Sequence, residues 1–249
     1  MRLTVIGAGP AYSDDAASIG ACYLVEHDGA TLALDLGHGA FARLAARLRP
    51  EQLATVVISH LHPDHFVDLV PLRHWLRYHL NPPGRVRVDA PAELAERLDG
   101  LHAEPGFTAT SLDVVALENG VRSIGSFRVE ARRVTHSSDS FAFRVTVDGG
   151  GAGLVYSGDV GVAGDLAPLI RPGDTLLTEC AFGPGPVPSG ADHLDGPSVG
   201  RLAAMTRPRA VLLTHLLPGR DRDATVAAVR ESFDGPAEIV SPGTVVNLE

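Results

Sequence analysis

The segment 59–65 has the densest set of potential metal ligands in the sequence. It reads Ser-His-Leu-His-Pro-Asp-His, so three imidazoles and a carboxylate lie within the six positions from His60 to His65. Imidazole nitrogens and carboxylate oxygens are donors that suit zinc and similar divalent ions. The segment follows the apolar run 55–58, which is typical of a strand. A polar helix start with incidental histidines is the alternative, but such turns rarely spend half their positions on histidine.

Further metal donors appear at three other places in the chain. His136, Asp159 and His215 each come directly after a short apolar run of the β type. Taken alone, a histidine at a strand end is usually a capping or surface residue, and Ser-Gly-Asp before position 160 is a common turn. Their shared position at strand ends predicts that one edge of a sheet gathers all of them beside segment 59–65.

The order of these donors along the chain resembles that of the metallo-β-lactamase-fold hydrolases, with His-x-His-x-Asp-His followed by His, Asp and His. Within that superfamily, the sequence is most similar to the ribonuclease Z and cyclic-nucleotide phosphodiesterase branch, especially to small actinobacterial-type members without the tRNA-binding arm. The finer match lies in 178–182, which resembles the glutamate strand of the branch through Glu179. His193 resembles the extra histidine of the branch.

The resemblance implies a centre with two divalent metal ions and seven ligands: three for a first ion, three for a second and one that bridges them. In that order the ligands are His60, His62 and His136; Asp64, His65 and His215; and Asp159. Two ions about 3.5–4 Å apart can share a hydroxide, which is then available as a nucleophile near neutral pH. Zinc is the expected metal, and manganese or iron suits the same donors.

The resemblance also implies catalytic roles outside the ligand set. Asp64 would orient or deprotonate the attacking water in addition to binding metal. Glu179 would hold His193 near the leaving group, where His193 would bind a phosphate oxygen or protonate the departing alkoxide. Without the resemblance, His193 would be read as a surface histidine before a helix.

Other residues are expected close to this centre. The family often has an Asp-x-Gly-x-Gly turn behind the metals, and 35–39 reads Asp-Leu-Gly-His-Gly. Asp35 is therefore expected to support a metal ligand, while His38, Ser137 and Ser138 are expected to touch the pocket. The Gly- and Pro-rich stretch 183–190 is either a surface connector or a pocket wall.

A small phosphodiester is the expected substrate, with 3′,5′-cyclic nucleotides such as cyclic AMP as the specific expectation. The alternative is a lactone or thioester hydrolase that uses the same metals. The complete ligand set argues against an inactive metal-binding protein, and Asp159 stands where enzymes that open β-lactams commonly have other ligands. Ribonuclease Z carries its tRNA-binding arm between the third histidine and the bridging aspartate, and the interval 136–159 is too short for one.

Composition bounds the remaining possibilities. A chain of 249 residues with 45% hydrophobic content suits a single hydrolase domain over 1–249. The formal net charge of −9 argues against extended nucleic acid or a membrane as partner and leaves a small-molecule substrate. All 21 basic residues are arginine, which excludes Schiff-base chemistry and a P-loop lysine. Two cysteines favour a cytoplasmic location. Relatives of this kind are often dimers, so a homodimer is an open alternative to a monomer.

The predicted elements mix strands and helices in two similar halves. Strands are predicted at 2–7, 21–26, 31–35, 55–58, 86–89, 175–179 and 210–214, with mostly β structure over 112–156. Helices are predicted at 40–48, 71–79, 92–98, 165–170, 197–206 and 223–233. This pattern suits an α/β four-layer αββα sandwich, and the resemblance implies the same metallo-β-lactamase fold.

Overall fold

The strands form two seven-stranded mixed sheets in the computed structural model, which describes residues 1–248. In chain order they are β1 (Arg2–Gly7), β2 (Cys22–His27), β3 (Ala30–Leu34), β4 (Thr55–Val57), β5 (Val86–Ala90), β6 (Leu112–Ala116), β7 (Gly120–Ile124), β8 (Phe127–Arg133), β9 (Phe141–Val147), β10 (Leu154–Tyr156), β11 (Thr175–Glu179), β12 (Ala210–Thr214), β13 (Ala237–Ile239) and β14 (Val245–Asn247). The first sheet has the order β14-β1-β2-β3-β4-β5-β6, and the second has the order β13-β12-β11-β10-β9-β8-β7.

The helices lie between these strands in the chain. They are α1 (Ala40–Arg47), α2 (Pro63–Phe66), α3 (Leu69–His74), α4 (Leu94–His102), α5 (Gly196–Thr206) and α6 (Arg222–Arg230). Asp195 and Asp221 cap the N-termini of α5 and α6, since each side chain accepts a hydrogen bond from the backbone N–H three residues further along the chain. Within the described residues, no helix is long and apolar enough to cross a membrane.

Three apolar clusters separate four layers. The central cluster joins the facing sides of the two sheets and contains residues such as Tyr23 and Phe143. A second cluster joins the first sheet to α1–α4, as Leu24 and Leu72 illustrate. A third joins the second sheet to α5 and α6. The predicted αββα sandwich is therefore confirmed.

The parallel strands explain where the site forms. β3 to β6 run parallel in the first sheet, and β10 to β13 run parallel in the second. Loops after the carboxyl ends of parallel strands meet at one edge of a sheet, which is where open α/β proteins place their ligands. Segment 59–65 follows β4, Asp159 follows β10, and His215 follows β12.

Most predicted elements appear, with differences that have local causes. The helix predicted at 92–98 starts later and runs through Gly100 to His102, ending where Ala103 takes a left-handed backbone conformation. The helix predicted at 71–79 is α3 followed by a π-helical turn, Trp75–His79. The helix predicted at 165–170 is a 3₁₀ turn, Ala163–Leu166. β13 and β14 were not predicted, because each has only three residues and includes a polar one, Glu238 or Asn247, so no apolar run marks it.

Candidate metal centre

The structure brings all seven sequence-predicted ligands together at the edge of the two sheets. They fall into two sets, in each of which the potential ligand atoms lie within 4.8 Å of one another. The sets are His60, His62, His136 and Asp159, and Asp64, His65 and His215. All but His62 and His136 are buried. This composition is that of a His- and carboxylate-lined site for divalent metal ions.

Asp159 lies between the two sets. Its Oδ2 atom is 3.7 Å from Nε2 of His60 and 3.3 Å from Nε2 of His215. Its Oδ1 atom is 3.4 Å from Nε2 of His65. One carboxylate thus faces donors of both sets, which is the position that a bridging ligand requires.

Several of these buried atoms lack any hydrogen-bond partner in residues 1–248. They are Nε2 of His60, Oδ2 of Asp64, Nε2 of His65 and Oδ1 of Asp159. Leaving a buried polar atom unpaired costs about 1–3 kcal/mol, so native proteins rarely leave such atoms without a partner. Four of them pointing into one cluster fit metal coordination better than a structural polar network.

In two of the histidines, the ring nitrogen that points away from the cluster is fixed by a hydrogen bond. Nδ1 of His65 donates to Oδ2 of Asp35 at 2.7 Å, and Nδ1 of His136 donates to the carbonyl oxygen of Asp192 at 2.7 Å. Donation from Nδ1 leaves the Nε2 lone pair free and fixes the ring orientation. These contacts favour the tautomer that a metal ligand needs.

The Asp35 carboxylate is a buried junction, as the Asp-x-Gly-x-Gly turn led us to expect. Besides His65, it accepts hydrogen bonds from the backbone N–H of Ser59 at 2.6 Å and from its hydroxyl at 2.8 Å. The Tyr156 hydroxyl, from the other sheet, donates to it at 2.5 Å. Sequence reasoning missed Tyr156, although its place three residues before Asp159 was a usable clue.

Close backbone packing fixes the segment that carries Asp64. A Cβ atom added to Gly37 would lie 1.8 Å from the carbonyl oxygen of Asp64, so only glycine allows this approach. The same carbonyl oxygen accepts the backbone N–H of Ala21 at 3.0 Å. Asp35 and His215 both have φ of 59°, a left-handed conformation that costs non-glycine residues about 1–3 kcal/mol. The backbone is thus strained at two residues of the site.

The charges around the cluster shift the pKa values of neighbouring groups in opposite directions. Burial lowers the pKa of His60 well below its ordinary value, and the nearby His65 lowers it further, so His60 is neutral and able to bind a cation. Burial also lowers the pKa of His65, but the carboxylates of Asp159 and Asp35 outweigh it and raise that pKa, so a cation that binds at Nε2 of His65 takes the place of a proton. Burial raises the pKa of Asp159, but the surrounding histidines outweigh it and hold the pKa well below its ordinary value. The carboxylate is therefore ionised.

Glu179 and His193 form a hydrogen-bonded pair beside the cluster. Nδ1 of His193 lies 2.8 Å from Oε1 of Glu179 and 4.0 Å from Oδ2 of Asp159. The Glu179 carboxylate is completely buried and also accepts hydrogen bonds from backbone N–H groups. The three donors are Val160, Ala181 and Leu194. Burial of His193 lowers its pKa, but the hydrogen bond and charge of Glu179 outweigh burial and raise it. His193 also groups with Asp159 and His215 as a potential donor.

The other residues that were expected near the centre lie in different surroundings. Ser137 and Ser138 line a small cavity of about 90 Å³ together with His62 and Arg97. His38 instead packs on the loop before β2, where its carbonyl oxygen accepts the backbone N–H of Gly20. The stretch 183–190 is pinned at its start, since Gly183 donates to the Cys180 carbonyl oxygen and accepts from Gly196.

Comparison with known proteins supports this reading of the fold. A model of the beta-lactamase superfamily domain matches residues 33–216. An uncharacterized protein of Mycobacterium leprae is 33% identical over 100% of this chain and 89% of its own. The probable metallo-hydrolase YhfI of Bacillus subtilis is 25% identical over 98% of this chain and 99% of its own. The crystal structure of YhfI, a metallo-beta-lactamase fold protein, superposes with a TM-score of 0.87 over 98% of each chain, at 24% identity.

The fold and the donor cluster define a metal-dependent hydrolase. The chain belongs to the beta-lactamase superfamily, and the family resemblance seen in its sequence is confirmed. More distant structures share the fold, among them human tRNase Z, short form, with a TM-score of 0.74 and 18% identity over 100% of each chain. A diphosphatase of the PhnP family has a TM-score of 0.76 at 15% identity, over 100% of this chain and 98% of its own.

Proposed function

We propose that the protein is a phosphodiesterase for small phosphodiesters, with 3′,5′-cyclic nucleotides as the specific substrates. The observation that carries this proposal is the Glu179–His193 pair beside the donor cluster. Because Nδ1 of His193 is bound to Glu179, Nε2 is the nitrogen left to face a substrate. A histidine polarised in this way can hydrogen-bond a phosphoryl oxygen or protonate an alkoxide, and an alkoxide is the leaving group of a cyclic nucleotide.

The metal ions belong to this proposal. We propose two divalent ions, one held by His60, His62 and His136 and the other by Asp64, His65 and His215, with Asp159 shared, and zinc as the native metal. When bound, such ions lower the pKa of a water molecule and polarise a phosphoryl oxygen. The donor chemistry and the four unpaired buried atoms support their presence.

The side chains of the protein would then divide the work of hydrolysis. The Asp64 carboxylate would accept a hydrogen bond from the attacking water and orient it toward phosphorus. As the new P–O bond forms, the bond to the 3′-oxygen breaks, and His193 would supply a proton to that oxygen. Glu179 would keep the His193 ring in place and favour its protonated form, because its charge raises the pKa of the imidazole.

The names of two structural neighbours agree with phosphorus chemistry, since tRNase Z and a diphosphatase both act on phosphorus–oxygen bonds. The interval from His136 to Asp159 holds only β9, a glycine turn and β10. It offers no arm for gripping tRNA, which favours a small substrate. The cytoplasmic location, the small-molecule partner and the monomer or homodimer remain predictions.

The deciding experiment is a comparison of kcat/KM on matched substrates with the metal-loaded protein. We expect bis-p-nitrophenyl phosphate and 3′,5′-cyclic AMP to be hydrolysed faster than p-nitrophenyl thioesters and lactones. His193→Ala should lower the rate on the cyclic nucleotide. A higher kcat/KM on a lactone or thioester would replace this proposal with the carbonyl hydrolase.

A further inference from the structure

A second cavity, of about 500 Å³, opens beside the metal centre on the side of His215. His215 forms part of its wall, so the cavity borders the donor cluster. The loop between β1 and β2 and the segment after β12 supply most of the remaining lining. A group attached to a substrate at the metal centre would extend into this space.

The lining of the cavity carries more basic than acidic side chains, although the protein as a whole is acidic. Arg43, Arg220 and Arg222 line it, against Asp14 and Asp15. Arg222 is engaged, because its guanidinium donates to the Ile239 carbonyl oxygen and the Ser241 hydroxyl at 3.3 Å each.

Arg220 differs from Arg222 in having no polar partner. Among residues 1–248 its guanidinium makes no hydrogen bond and no ion pair, and it is half-buried rather than free in solvent. It is held instead over the ring of Phe182, with Cζ 5.3 Å from the ring centroid. A guanidinium is a planar fork of donors that matches carboxylate and phosphate groups. The Phe182 ring therefore holds the Arg220 guanidinium in place, and no carboxylate of the described residues neutralises its charge.

Arg220 and His193 both lie close to the ring of Phe182. The centroid of that ring is 6.2 Å from the centroid of the His193 ring and 5.3 Å from Cζ of Arg220. The guanidinium is thus placed to meet a part of the substrate next to the phosphoryl group that His193 would contact.

We propose that Arg220 binds a second anionic group of the substrate, a phosphate or carboxylate carried in the cavity beside His215. This inference rests on the proposed phosphodiesterase function and adds an order of preference within it: a phosphodiester that carries a second negative charge should bind more tightly than a 3′,5′-cyclic nucleotide, which carries only one. Arg43, which also lacks a polar partner in the described residues, adds positive potential at the rim of the cavity.

The test uses two esters that differ only in the second anion. They are thymidine 5′-(p-nitrophenyl phosphate) and the same ester carrying a 3′-phosphate. With the metal-loaded protein we expect KM to be about 10- to 100-fold lower for the 3′-phosphorylated ester, the size of one charge-assisted hydrogen-bonded contact. Arg220→Gln should bring the ratio of the two KM values close to one. Arg220→Lys should keep part of the difference between the two KM values, because lysine retains the charge.

Arg128→Gln is the matched control. Arg128 is exposed on β8, four strands away from β12 in the second sheet, and it too lacks a polar partner in the described part of the chain. The substitution removes the same charge and should leave the KM ratio unchanged. A wild-type ratio near one, or an unchanged ratio in Arg220→Gln, would overturn the proposal.

Calorimetry separates this inference from the proposed function. Thymidine 3′,5′-bisphosphate should bind the metal-loaded wild type more tightly than thymidine 5′-monophosphate, and Arg220→Gln should abolish the difference. If neither ester is hydrolysed, the phosphodiesterase proposal fails, while this binding difference still decides whether Arg220 holds an anion. Equal binding of both nucleotides to the wild type would refute the anion site even in an active enzyme.

Discussion

Nδ1 of His193 lies 2.8 Å from Oε1 of Glu179, a carboxylate that water does not reach. The imidazole is itself one-quarter exposed, so the pair joins a rigid buried acceptor to a ring that substrate can touch. Such a pair holds a proton donor in one orientation without placing a charge in bulk solvent.

His193→Ala should retain the fold and the metals but lose about 10²- to 10⁴-fold in rate on a cyclic nucleotide, the usual size of a general-acid contribution. The loss should be smaller on bis-p-nitrophenyl phosphate, because p-nitrophenolate leaves without protonation. Kinetics on both substrates, with metal analysis of each preparation, checks this. Loss of metal would show instead that His193 is a ligand, as its closeness to Asp159 and His215 allows.

Glu179→Gln should lower both activity and stability. The amide NH₂ group would face backbone N–H donors in place of a carboxylate oxygen, which leaves buried donors unpaired at about 1–3 kcal/mol each. Thermal or urea unfolding measures the stability loss. The double variant with His193→Ala should be little less active than His193→Ala alone, because Glu179 acts through His193. Additive losses in activity would mean that Glu179 acts independently.

Metal content should approach two equivalents per chain in protein purified without chelator. His62→Ala should lose most metal from the first set of donors and most activity, and chelation should lower the melting temperature. His79→Ala is a suitable control, since His79 is exposed and stacks on Trp75 away from the cluster. Plasma emission spectrometry, combined with the protein concentration, gives the number of metal equivalents per chain. A ratio near one after reloading with metal would contradict a shared Asp159.

Tyr156→Phe should weaken metal binding, because Tyr156 fixes the Asp35 carboxylate that orients His65. Changes to such supporting contacts typically cost about 10- to 100-fold in metal affinity. Tyr23→Phe is the matched control: the two rings are 5.0 Å apart and both are buried, but the Tyr23 hydroxyl bonds to Thr214 instead. Competition with a chromophoric chelator measures both affinities. An equal loss of metal affinity in the two variants would mean that the effect of Tyr156→Phe comes from general packing and not from its hydrogen bond to Asp35.

Gly37→Ala should destabilise the protein, since the added methyl group meets the Asp64 carbonyl oxygen. Overpacking of this kind costs typically about 1–3 kcal/mol. Gly100→Ala in the last turn of α4 meets nothing within 4 Å and should instead stabilise the protein by about 0.4–1 kcal/mol. Urea unfolding of the two variants tests the contrast in sign. A neutral Gly37→Ala would mean that the turn around Asp64 shifts freely.

The sequence was most informative where chemistry is contiguous. Segment 59–65 displays four potential ligands in one turn, and His136, Asp159 and His215 each follow a strand. By contrast, Tyr156 reaches Asp35 across 121 positions and between two sheets, so no local pattern reports their contact. Arg220 belongs to no motif, and its role depends on Phe182 and on a cavity that exists only in the folded chain.

The left-handed backbone at His215 sets the stability of the metal-free protein against its activity. Glycine adopts that conformation without strain, so glycine at position 215 relieves strain while removing an imidazole from the centre. Glycine at position 35 would instead leave the buried donors of Ser59, His65 and Tyr156 without their acceptor. A library selected for yield of folded protein in the presence of a chelator is therefore expected to accumulate glycine at position 215 but not at position 35. Variants obtained in this way would be inactive, and screens that couple folding to turnover would keep His215.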